Sequence, residues 1–373
     1  MPQITKIVIT GGPCGGKSTG LSKIEEHFSA LGYHVIFVSE TATEMITGGA
    51  APWIGKNADF QKALLGLQLH KERAYAKWAG HLDRDKILLV CDRGALDNKA
   101  YMTQDDFADV LSDMRTNEIE LRDSYDAVFH LVTAANGAEK AYIENKSNNL
   151  ARTETPEKAR ELDEKLIAAW TGHPHLRTID NSTGFEAKIG RLVGEIAGFL
   201  GEPEPFEIER KFLIKYPDLA ALERMPNCSK VEIIQTYLQT GDADEEKRVR
   251  QRGRDGHYIF TETAKRRITE LKRIETERRL TQAEYLTLLM NADTALRQIR
   301  KTRYCLSHAN QYLEIDIYPF WGNTAILEAE LSDESQRIDF PGFIEVIREV
   351  TGDLRYSNRA LAETVPGESD ECE

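Results

Sequence analysis

The sequence is poor in cysteine and has no long apolar run, and each absence excludes a class of protein. The five cysteines are an odd number, lie far apart and form no Cys-x-x-Cys pair, which argues against a disulfide framework and against a zinc site. No stretch approaches the roughly 20 apolar residues that a transmembrane helix needs, and the first residues, MPQITKIVIT, lack the parts of a secretory signal. We therefore expect a cytoplasmic protein with reduced thiols and no transmembrane segment.

An excess of positive charge is also missing. The 373 residues include 48 Lys and Arg against 61 Asp and Glu, which gives a formal net charge of −13. Such a chain does not coat nucleic acid or an anionic membrane with its whole surface, so we expect no nucleic-acid partner. With 41% hydrophobic and 29% charged residues the composition is globular, and the length predicts two domains.

Two segments of different periodicity divide the chain. In residues 1–200, short apolar runs alternate with helical stretches, which predicts an α/β domain with a parallel sheet covered on both faces. Residues 201–205, Gly-Glu-Pro-Glu-Pro, break this pattern and are predicted to be a linker. Residues 206–365 alternate with a period of two, which predicts an antiparallel sheet or barrel, and the acidic residues 366–373 are expected to form a flexible tail.

The alternation in the first segment predicts five strands and five helices. The predicted strands are Ile4–Thr10, His34–Ser39, Lys86–Asp92, Asp126–Val132 and His175–Ile179. The predicted helices are Ser18–Leu31, Ala58–Gly80, Gln104–Leu121, Pro156–Trp170 and Phe185–Leu200.

A phosphate-binding loop is indicated directly after the first strand. Residues 11–18, Gly-Gly-Pro-Cys-Gly-Gly-Lys-Ser, fit the pattern G-x-x-x-x-G-K-[ST] between an apolar strand and a helix. Glycines let the backbone curl so that successive N–H groups point at phosphate oxygens, and the helix N-terminus adds its dipole. Lys17 is predicted to reach the β- and γ-phosphates of ATP or GTP, and Ser18 to ligate Mg²⁺. The predicted nucleotide-binding residues of the loop are Gly11, Gly12, Gly15, Gly16, Lys17, Ser18 and Thr19.

Three further polar residues are candidates for the same site. Asp92 ends a buried strand, where it would hold the Mg²⁺ hydration shell or orient an attacking hydroxyl, unless it only caps the next turn. Glu40 ends the second strand at the same sheet edge, with a helix-capping role as an equal alternative. Arg152 lies in a polar stretch and would either close on the transferred phosphate or be a solvated surface arginine.

By these residues the first segment resembles the P-loop kinase-like NTPases, in particular the small-molecule kinases of the nicotinamide-riboside kinase type. The phosphate loop, the Asp-Arg pair after the third strand and an arginine-bearing lid have counterparts here. Asn145-Lys-Ser-Asn148 lacks the aspartate of a guanine-binding Asn-Lys-x-Asp motif, so the choice between ATP and GTP stays open.

In the second segment, charged residues recur two positions apart on strand-like stretches. Residues two apart on a strand point to the same face of a sheet. For one strand the ordinary explanation is a solvent-exposed face, but seven such strands favour a polar lining. The sets are Glu207/Glu209/Lys211, Arg248/Arg250/Arg252, Thr263/Lys265, Arg273/Glu275/Glu277, Lys301/Arg303, Glu314/Asp316 and Glu328/Glu330.

A barrel of about eight strands with this face inward would enclose a tunnel lined by both signs of charge. Carboxylates bind Mg²⁺ or Mn²⁺, and Lys and Arg neutralise a polyanion, with arginine making bidentate contacts to phosphate. Neither set tolerates enclosure alone, because like charges repel strongly at low dielectric. A ligand that combines phosphates with a divalent metal neutralises both sets of charges, and triphosphate is the natural candidate. Its hydrolysis needs no covalent nucleophile, because a metal can polarise the phosphorus and position a water.

Glu207-x-Glu209-x-Lys211 matches the E-x-E-x-K signature of the CYTH family, the triphosphate tunnel metalloenzymes, and further similarities extend from residue 206 to about 362. The resemblance implies an eight-stranded antiparallel β tunnel with catalytic residues Glu207, Glu209 and Lys211, to which we add Asp92 of the first site. It implies that metal is held by Glu207, Glu209, Glu328 and Glu330 in the tunnel; in the nucleotide site the metal ligands predicted from the phosphate loop and the third strand are Ser18 and Asp92. The implied phosphate ligands are Lys211, Arg248, Arg250, Lys265, Lys301 and Arg303.

The order of the two domains resembles relatives of the TRPL translocation defect protein, which implies nucleotide binding and a contact with phosphoinositides. Three hypotheses follow. The favoured one is an enzyme whose tunnel hydrolyses a triphosphate compound with Mg²⁺ or Mn²⁺. The second is a nucleotide-regulated binding protein whose tunnel captures a phosphorylated ligand, such as a phosphoinositide at a membrane periphery, without turnover. The third is a small-molecule kinase with a regulatory tunnel.

Overall fold

A computed structural model of the chain describes residues 3–140, 142–143, 155–202, 208–241, 245–267, 273–331 and 336–364. Arg152, Glu207, residues 203–205 of the predicted linker and the predicted tail lie outside these ranges. By their internal contacts the residues divide into two compact units, one of 1–207 with 309–312 and the other of 208–308 with 313–373. Within the described ranges, none of the helices combines the length and the apolar character of a membrane span.

The first unit is built on a five-stranded parallel sheet in the order β2-β3-β1-β4-β5. Its strands are β1 (Gln3–Gly11), β2 (His34–Val38), β3 (Lys86–Asp92), β4 (Ala127–Leu131) and β5 (Leu176–Ile179). The middle of β3 and the whole of β4 are buried, as expected for a parallel sheet covered on both faces. Because β1 is the central strand, its carboxyl end lies between those of β3 and β4, and the predicted phosphate loop begins there.

Seven α-helices and one 3₁₀ helix accompany this sheet in the described residues. They are α1 (Lys17–Ala30), α2 (Thr41–Thr47), α3 (Asn57–Ala79), a 3₁₀ helix (Ala95–Tyr101), α4 (Gln104–Asp113), α5 (Glu118–Arg122), α6 (Pro156–Trp170) and α7 (Phe185–Leu200). The predicted helix Gln104–Leu121 is wrong as a single element. Arg115, at φ 54°, leaves the helical region just after α4, and the Asn117 side chain caps α5 by accepting from the backbone N–H of Glu120 at 2.9 Å.

The second unit is an antiparallel sheet in the order β10-β9-β8-β7-β11-β12-β13-β6-β14. Its strands are β6 (Ile208–Lys215), β7 (Cys228–Leu238), β8 (Glu245–Arg254), β9 (His257–Arg267), β10 (Arg273–Leu280), β11 (Ile299–His308), β12 (Gln311–Ile317), β13 (Thr324–Leu331) and β14 (Val346–Glu349). The expected fold class, a parallel α/β domain followed by an antiparallel β domain, is confirmed. The sheet has nine strands rather than eight, because the four-residue strand β14 pairs with the outer side of β6.

Alternation along the strands gives the second sheet an apolar face and a charged face. Leu313 and Ile315 of β12 belong to the apolar cluster, while Glu314 and Asp316 between them point the other way. Asp316 is nevertheless fully buried, so the charged face is covered as well. Three α-helices and a second 3₁₀ helix complete the described part of this unit: α8 (Leu219–Glu223), α9 (Gln282–Leu289), the 3₁₀ helix Leu354–Tyr356 and α10 (Asn358–Glu363).

Candidate phosphate-binding sites

The phosphate loop has the tight curvature that its glycines predict. Gly11 has a φ of 144°, and a Cβ there would overlap the carbonyl oxygen of Leu131 on the neighbouring strand. Gly15 N donates to Gly12 O at 3.2 Å, which closes the turn. Gly16, at φ 99°, lies in the left-handed region and caps α1, so the loop leads directly into the helix N-terminus. Ser18 and Thr19 are exposed at the start of α1, where an anion would meet them.

Burial acts against the charged forms of both Lys17 and Asp92. Burial, followed by the nearby Arg93 guanidinium, lowers the pKa of Lys17 to about 8, although Asp92 and Glu40 act in the opposite direction. Burial raises the pKa of Asp92, with Lys17 opposing the shift. Asp92 Oδ1 is buried and has no hydrogen-bond partner within the described residues. Phosphate at Lys17 and a hydrated cation at Asp92 would relieve both groups, so these residues fit a nucleotide with Mg²⁺.

Arg93 links the ends of β2 and β3 beside this pair. Its backbone adopts φ 73°, a left-handed conformation that is unusual for arginine. Arg93 Nε donates to Glu40 Oε1 at 2.9 Å, and Nη1 is 3.5 Å from Asp97 Oδ2. Burial alone would raise the pKa of Glu40, but Arg93 holds it below the usual range. Glu40 lies at the N-cap position of α2, but its carboxylate makes no capping bond to the helix backbone; it accepts from Thr43 Oγ1 at 2.6 Å and pairs with Arg93.

Asp97 is a residue of this site that sequence analysis missed. Its carboxylate accepts from Thr10 Oγ1 at 2.8 Å and from Trp170 Nε1 at 2.6 Å, in addition to the contact with Arg93. The partners come from β1 and α6, far apart in sequence, so no local motif marks Asp97. It positions the 3₁₀ helix that follows Asp92 and thereby fixes the Asp92-Arg93 turn.

In the second unit, strand pairing places most of the predicted tunnel residues on one face. Lys211 is opposite Glu328, and Glu209 is opposite Glu330, across the β6–β13 ladder. Glu328 is in turn opposite Glu314 on β12. Towards the β10 edge of the same sheet, basic residues of β8 and β9 lie opposite residues of the neighbouring strands. Arg250 is opposite Gln235, Arg248 is opposite Tyr237 and Thr263, and Lys265 is opposite Glu246.

Arg303 on β11 is the centre of a buried ion network. Its Nη2 atom lies 2.6 Å from Asp316 Oδ2 and 2.8 Å from Glu328 Oε2, its Nε donates to Asp316 Oδ1 at 2.7 Å, and its Nη1 donates to Glu314. Lys301 pairs with the same Asp316, and Lys211 Nζ lies 2.8 Å from Glu328 Oε1. The predicted cations Lys211, Lys301 and Arg303 and the predicted acid Glu328 are thus brought together. Glu314 and Asp316 were part of the two-residue pattern but not of the predicted site, because their contact with Arg303 depends on pairing between strands.

Arg250 on β8 lies among several other arginines, in a region with an excess of buried positive charge. Burial, followed by Arg248, lowers the pKa of its guanidinium to about 10, and Arg303 and Arg252 act in the same direction. Its Nη2 is 3.4 Å from Gln235 Oε1, and its buried Nε has no hydrogen-bond partner in the described part of the chain. Arginine groups of this kind are stabilised by an anion that replaces lost water.

Of the four acids predicted to hold a metal in the tunnel, Glu209, Glu328 and Glu330 are described, and Glu209 and Glu330 face each other. Like charges directly opposite on neighbouring strands, as at Glu209 and Glu330, are unfavourable without a cation nearby, and Lys211 Nζ lies 3.9 Å from Glu209 Oε1. Carboxylates are the hard oxygen ligands of Mg²⁺ and Mn²⁺, so the pair fits such an ion. The described residues contain no group of three or more His, Cys, Asp or Glu side chains arranged to hold a metal, and the fourth predicted ligand, Glu207, is outside the described ranges.

Two protein families match the chain, one in each of its two segments. Residues 6–188 match a family described as AAA domain, and residues 205–356 match a family described as CYTH domain. The chain combines an AAA domain with a CYTH domain. The AAA domain contains the P-loop and the CYTH domain contains the charged strand face.

Solved structures similar to each part have also been identified. The inorganic triphosphatase NE1496 is 30% identical, over 43% of this chain and 97% of that chain, with a TM-score of 0.31. The deoxyadenosine kinase from M. mycoides with bound dATP is 17% identical, over 52% of this chain and 98% of that chain, with a TM-score of 0.36. The putative adenylyl cyclase HpAC1 from Hippeastrum, whose structure title reports a dominant triphosphatase activity, is 14% identical over 34% of this chain and 80% of that chain, with a TM-score of 0.24. None of the curated proteins compared with the chain matches it.

Proposed function

We propose that the CYTH domain hydrolyses a triphosphate-containing compound with Mg²⁺ or Mn²⁺, and that the AAA domain binds ATP or GTP with Mg²⁺. The observation that carries this proposal is the covered strand face on which Lys211, Arg250 and Arg303 lie with a row of carboxylates. Buried charges of both signs are costly, and a polyphosphate with its metal compensates both sets at once.

The strands in the two halves of this sheet suggest different roles in phosphate binding and in metal binding. Arg248, Arg250 and Lys265 supply positive charge from β8 and β9, where the α- and β-phosphate oxygens of a substrate would lie. Glu209 and Glu330, with Glu207, would hold the metal beside Lys211. The metal would polarise a terminal phosphorus and position the attacking water, while Lys211 and Arg303 would neutralise charge on the equatorial oxygens.

In the AAA domain the proposed roles follow from the cost of burying Lys17 and Asp92 in their charged forms. Lys17 would bind the β- and γ-phosphates, Ser18 and Asp92 would hold Mg²⁺, and the backbone of Gly11, Gly12, Gly15 and Gly16 with Thr19 would cradle the phosphates. Arg152 remains a proposed phosphate contact. A hydroxyl acceptor in place of water would make this domain a small-molecule kinase.

One observation favours a second function, capture of a phosphorylated ligand such as a phosphoinositide without turnover. Glu314, Asp316 and Glu328 are already engaged by Arg303, with Lys301 and Lys211 as further partners. Carboxylates neutralised by cations in this way are weaker metal ligands, and a tunnel that binds only phosphate needs little metal.

Phosphate release from the full chain, with Mg²⁺ or Mn²⁺, separates these functions. The substrates are tripolyphosphate, ATP, GTP and thiamine triphosphate, and the variants are Glu207→Ala with Glu209→Ala, and Lys17→Ala. We expect the double variant to abolish release from the tunnel substrate, while Lys17→Ala removes nucleotide binding and leaves that release intact. Metal-dependent binding of a phosphoinositide with no turnover of any triphosphate would favour capture instead, and loss of both properties in Lys17→Ala would show that the sites are not separate.

A further inference from the structure

The underside of the phosphate loop is held by side chains from two neighbouring elements. Gly12 N donates to Asp163 Oδ1 at 2.7 Å, and Thr133 Oγ1 donates to Pro13 O at 2.6 Å. Asp163 lies on α6 and Thr133 follows β4, so the first turn of the loop is fixed by contacts that are remote in sequence. None of these side chains belongs to the P-loop motif.

Asp163 is a buried carboxylate with a second partner on β4. His130 Nε2 lies 2.9 Å from Asp163 Oδ1, the same oxygen that accepts from Gly12. Asp163 is 3% exposed and His130 is fully buried. Burial would raise the pKa of Asp163, but His130 and the backbone N–H groups of Thr133 and Gly12 hold it below the usual range. The carboxylate is therefore kept ionised as a strong acceptor for the Gly12 N–H.

A negative charge under a loop that binds polyphosphate is unfavourable for the ligand, so packing alone does not explain Asp163. An apolar side chain would fill the same volume without electrostatic cost, but it would leave the buried Gly12 N–H without an acceptor. The approach is also close, since a Cβ at Gly12 would lie 2.5 Å from Asp163 Oδ1. The geometry thus requires glycine at position 12 and a directional acceptor at position 163.

We propose that Asp163 is a positioning residue for nucleotide binding. By accepting from Gly12 N it turns this peptide away from the phosphate cavity and fixes the curl of the loop, so that the N–H groups of Gly16 and Lys17 face inward before the nucleotide arrives. Preorganisation of this kind contributes to affinity because the loop does not have to be ordered during binding. The inference rests on the proposed binding of ATP or GTP by the AAA domain.

Two nearly isosteric variants separate positioning from packing. Asp163→Asn keeps an oxygen that can accept from Gly12 N, whereas Asp163→Leu keeps the branched shape, with bulkier methyl groups, but accepts no hydrogen bond. With fluorescent ATP and GTP analogues, Mg²⁺ and the full chain, we expect the dissociation constant to change by less than about threefold in Asp163→Asn. In Asp163→Leu it should rise by about tenfold or more, because the buried N–H of Gly12, together with that of Thr133, loses its acceptor.

The matched control is Thr171→Val. Thr171 is buried at the end of α6 and its hydroxyl donates to Ile167 O at 2.9 Å, so the variant removes a buried hydrogen bond next to the same helix without touching the loop. We expect its nucleotide affinity to equal that of the wild type. An equal loss of affinity in Thr171→Val and Asp163→Leu would overturn the inference, because the effect would then be one of general stability.

A spectroscopic measurement tests the hydrogen bond without nucleotide. In protein labelled with ¹⁵N-glycine, the Gly12 amide proton should resonate downfield in the wild type and in Asp163→Asn, and move upfield in Asp163→Leu, or in Asp163→Ala should the leucine variant not fold. A Gly12 resonance that does not move in Asp163→Leu would overturn the inference and leave the proposed function intact. Wild-type nucleotide affinity in Asp163→Leu, with no binding by Lys17→Ala, would do the same. Failure of the wild type to bind either nucleotide would overturn the proposed function and the inference together.

Discussion

Lys211 and Glu328 lie directly opposite each other on β6 and β13, and Lys211 Nζ is 2.8 Å from Glu328 Oε1. The other oxygen of Glu328 is 2.8 Å from Arg303 Nη2, so one carboxylate joins two of the predicted phosphate-binding cations. Burial acts to raise the pKa of Glu328, but Arg303, Lys301 and Lys211 together hold it far below the usual range. Glu328 is therefore ionised at any ordinary pH and sets the spacing between the cations.

Replacement of Glu328 by glutamine is expected to destabilise the second unit by about 3 kcal/mol, because it leaves buried cations with too little compensating charge. Phosphate release from tripolyphosphate should fall about tenfold or more, since Lys211 and Arg303 lose their spacing. Urea denaturation and a phosphate-release assay measure the two effects. The control is Glu345→Gln, whose ion pair with Lys215 is solvent-exposed and should contribute less than about 1 kcal/mol. Equal stability of the two variants would contradict the assigned role of Glu328.

Arg250→Met tests whether β8 binds an anion. Burial and the neighbouring Arg248 disfavour the charged form of Arg250, so its removal should not lower the melting temperature of the ligand-free protein. The same variant should lose most of the rise in melting temperature that tripolyphosphate produces, because a bound anion stabilises the native state in proportion to its affinity. Thermal denaturation with and without tripolyphosphate measures both. Arg278→Met on β10, an exposed arginine paired with Glu262, should keep the full rise. A full rise in Arg250→Met would exclude Arg250 from the phosphate site.

Features that depend only on residues close together in the chain can be predicted from the sequence. The loop 11–18 and the charges spaced two apart follow from local backbone geometry, and both the parallel and the antiparallel sheet were predicted from periodicity. The helix α9 could have been found in the same way, because Thr281 and Glu284 form a capping box that fits the pattern S/T-x-x-E.

Features that depend on contacts between remote elements were not predictable. Asp97 and Asp163 have ordinary local sequences, and their partners are contributed by β1, β4, α6 and the phosphate loop. The pairing of Arg303 with Asp316 and Glu328 depends on the register of β11, β12 and β13, which alternation alone does not determine. For the same reason, the pattern identified which residues share a face but not which of them neutralise each other.

Asp92→Asn tests the predicted magnesium ligand of the AAA domain. The Oδ1 atom of Asp92 is buried without a hydrogen-bond partner in the described residues, which suits a hydrated cation. We expect the affinity for ATP or GTP with Mg²⁺ to fall about tenfold, while the affinity measured in EDTA stays the same or rises, because a negative charge near the phosphates has been removed. Titration calorimetry in the two buffers measures the difference. Asp113→Asn, at an exposed ion pair with Lys62, serves as the control. An equal loss in EDTA would contradict a role of Asp92 in metal binding.

Nucleotide affinity should decrease above about pH 8 because of Lys17. The pKa of this lysine is lowered to about 8, first by burial and then by Arg93. Phosphate binds the charged form of Lys17. Below about pH 8 the lysine is already protonated, so the nucleotide affinity is nearly constant. Above it, binding must take up a proton, and the dissociation constant should rise by up to about tenfold per pH unit until the pKa of the complex is reached. Titrations with Mg²⁺ between about pH 7 and pH 9.5 cover this window. Lys17→Arg stays charged throughout and should bind with little dependence on pH, so a flat profile for the wild type, or the same slope in Lys17→Arg, would contradict the assignment to Lys17.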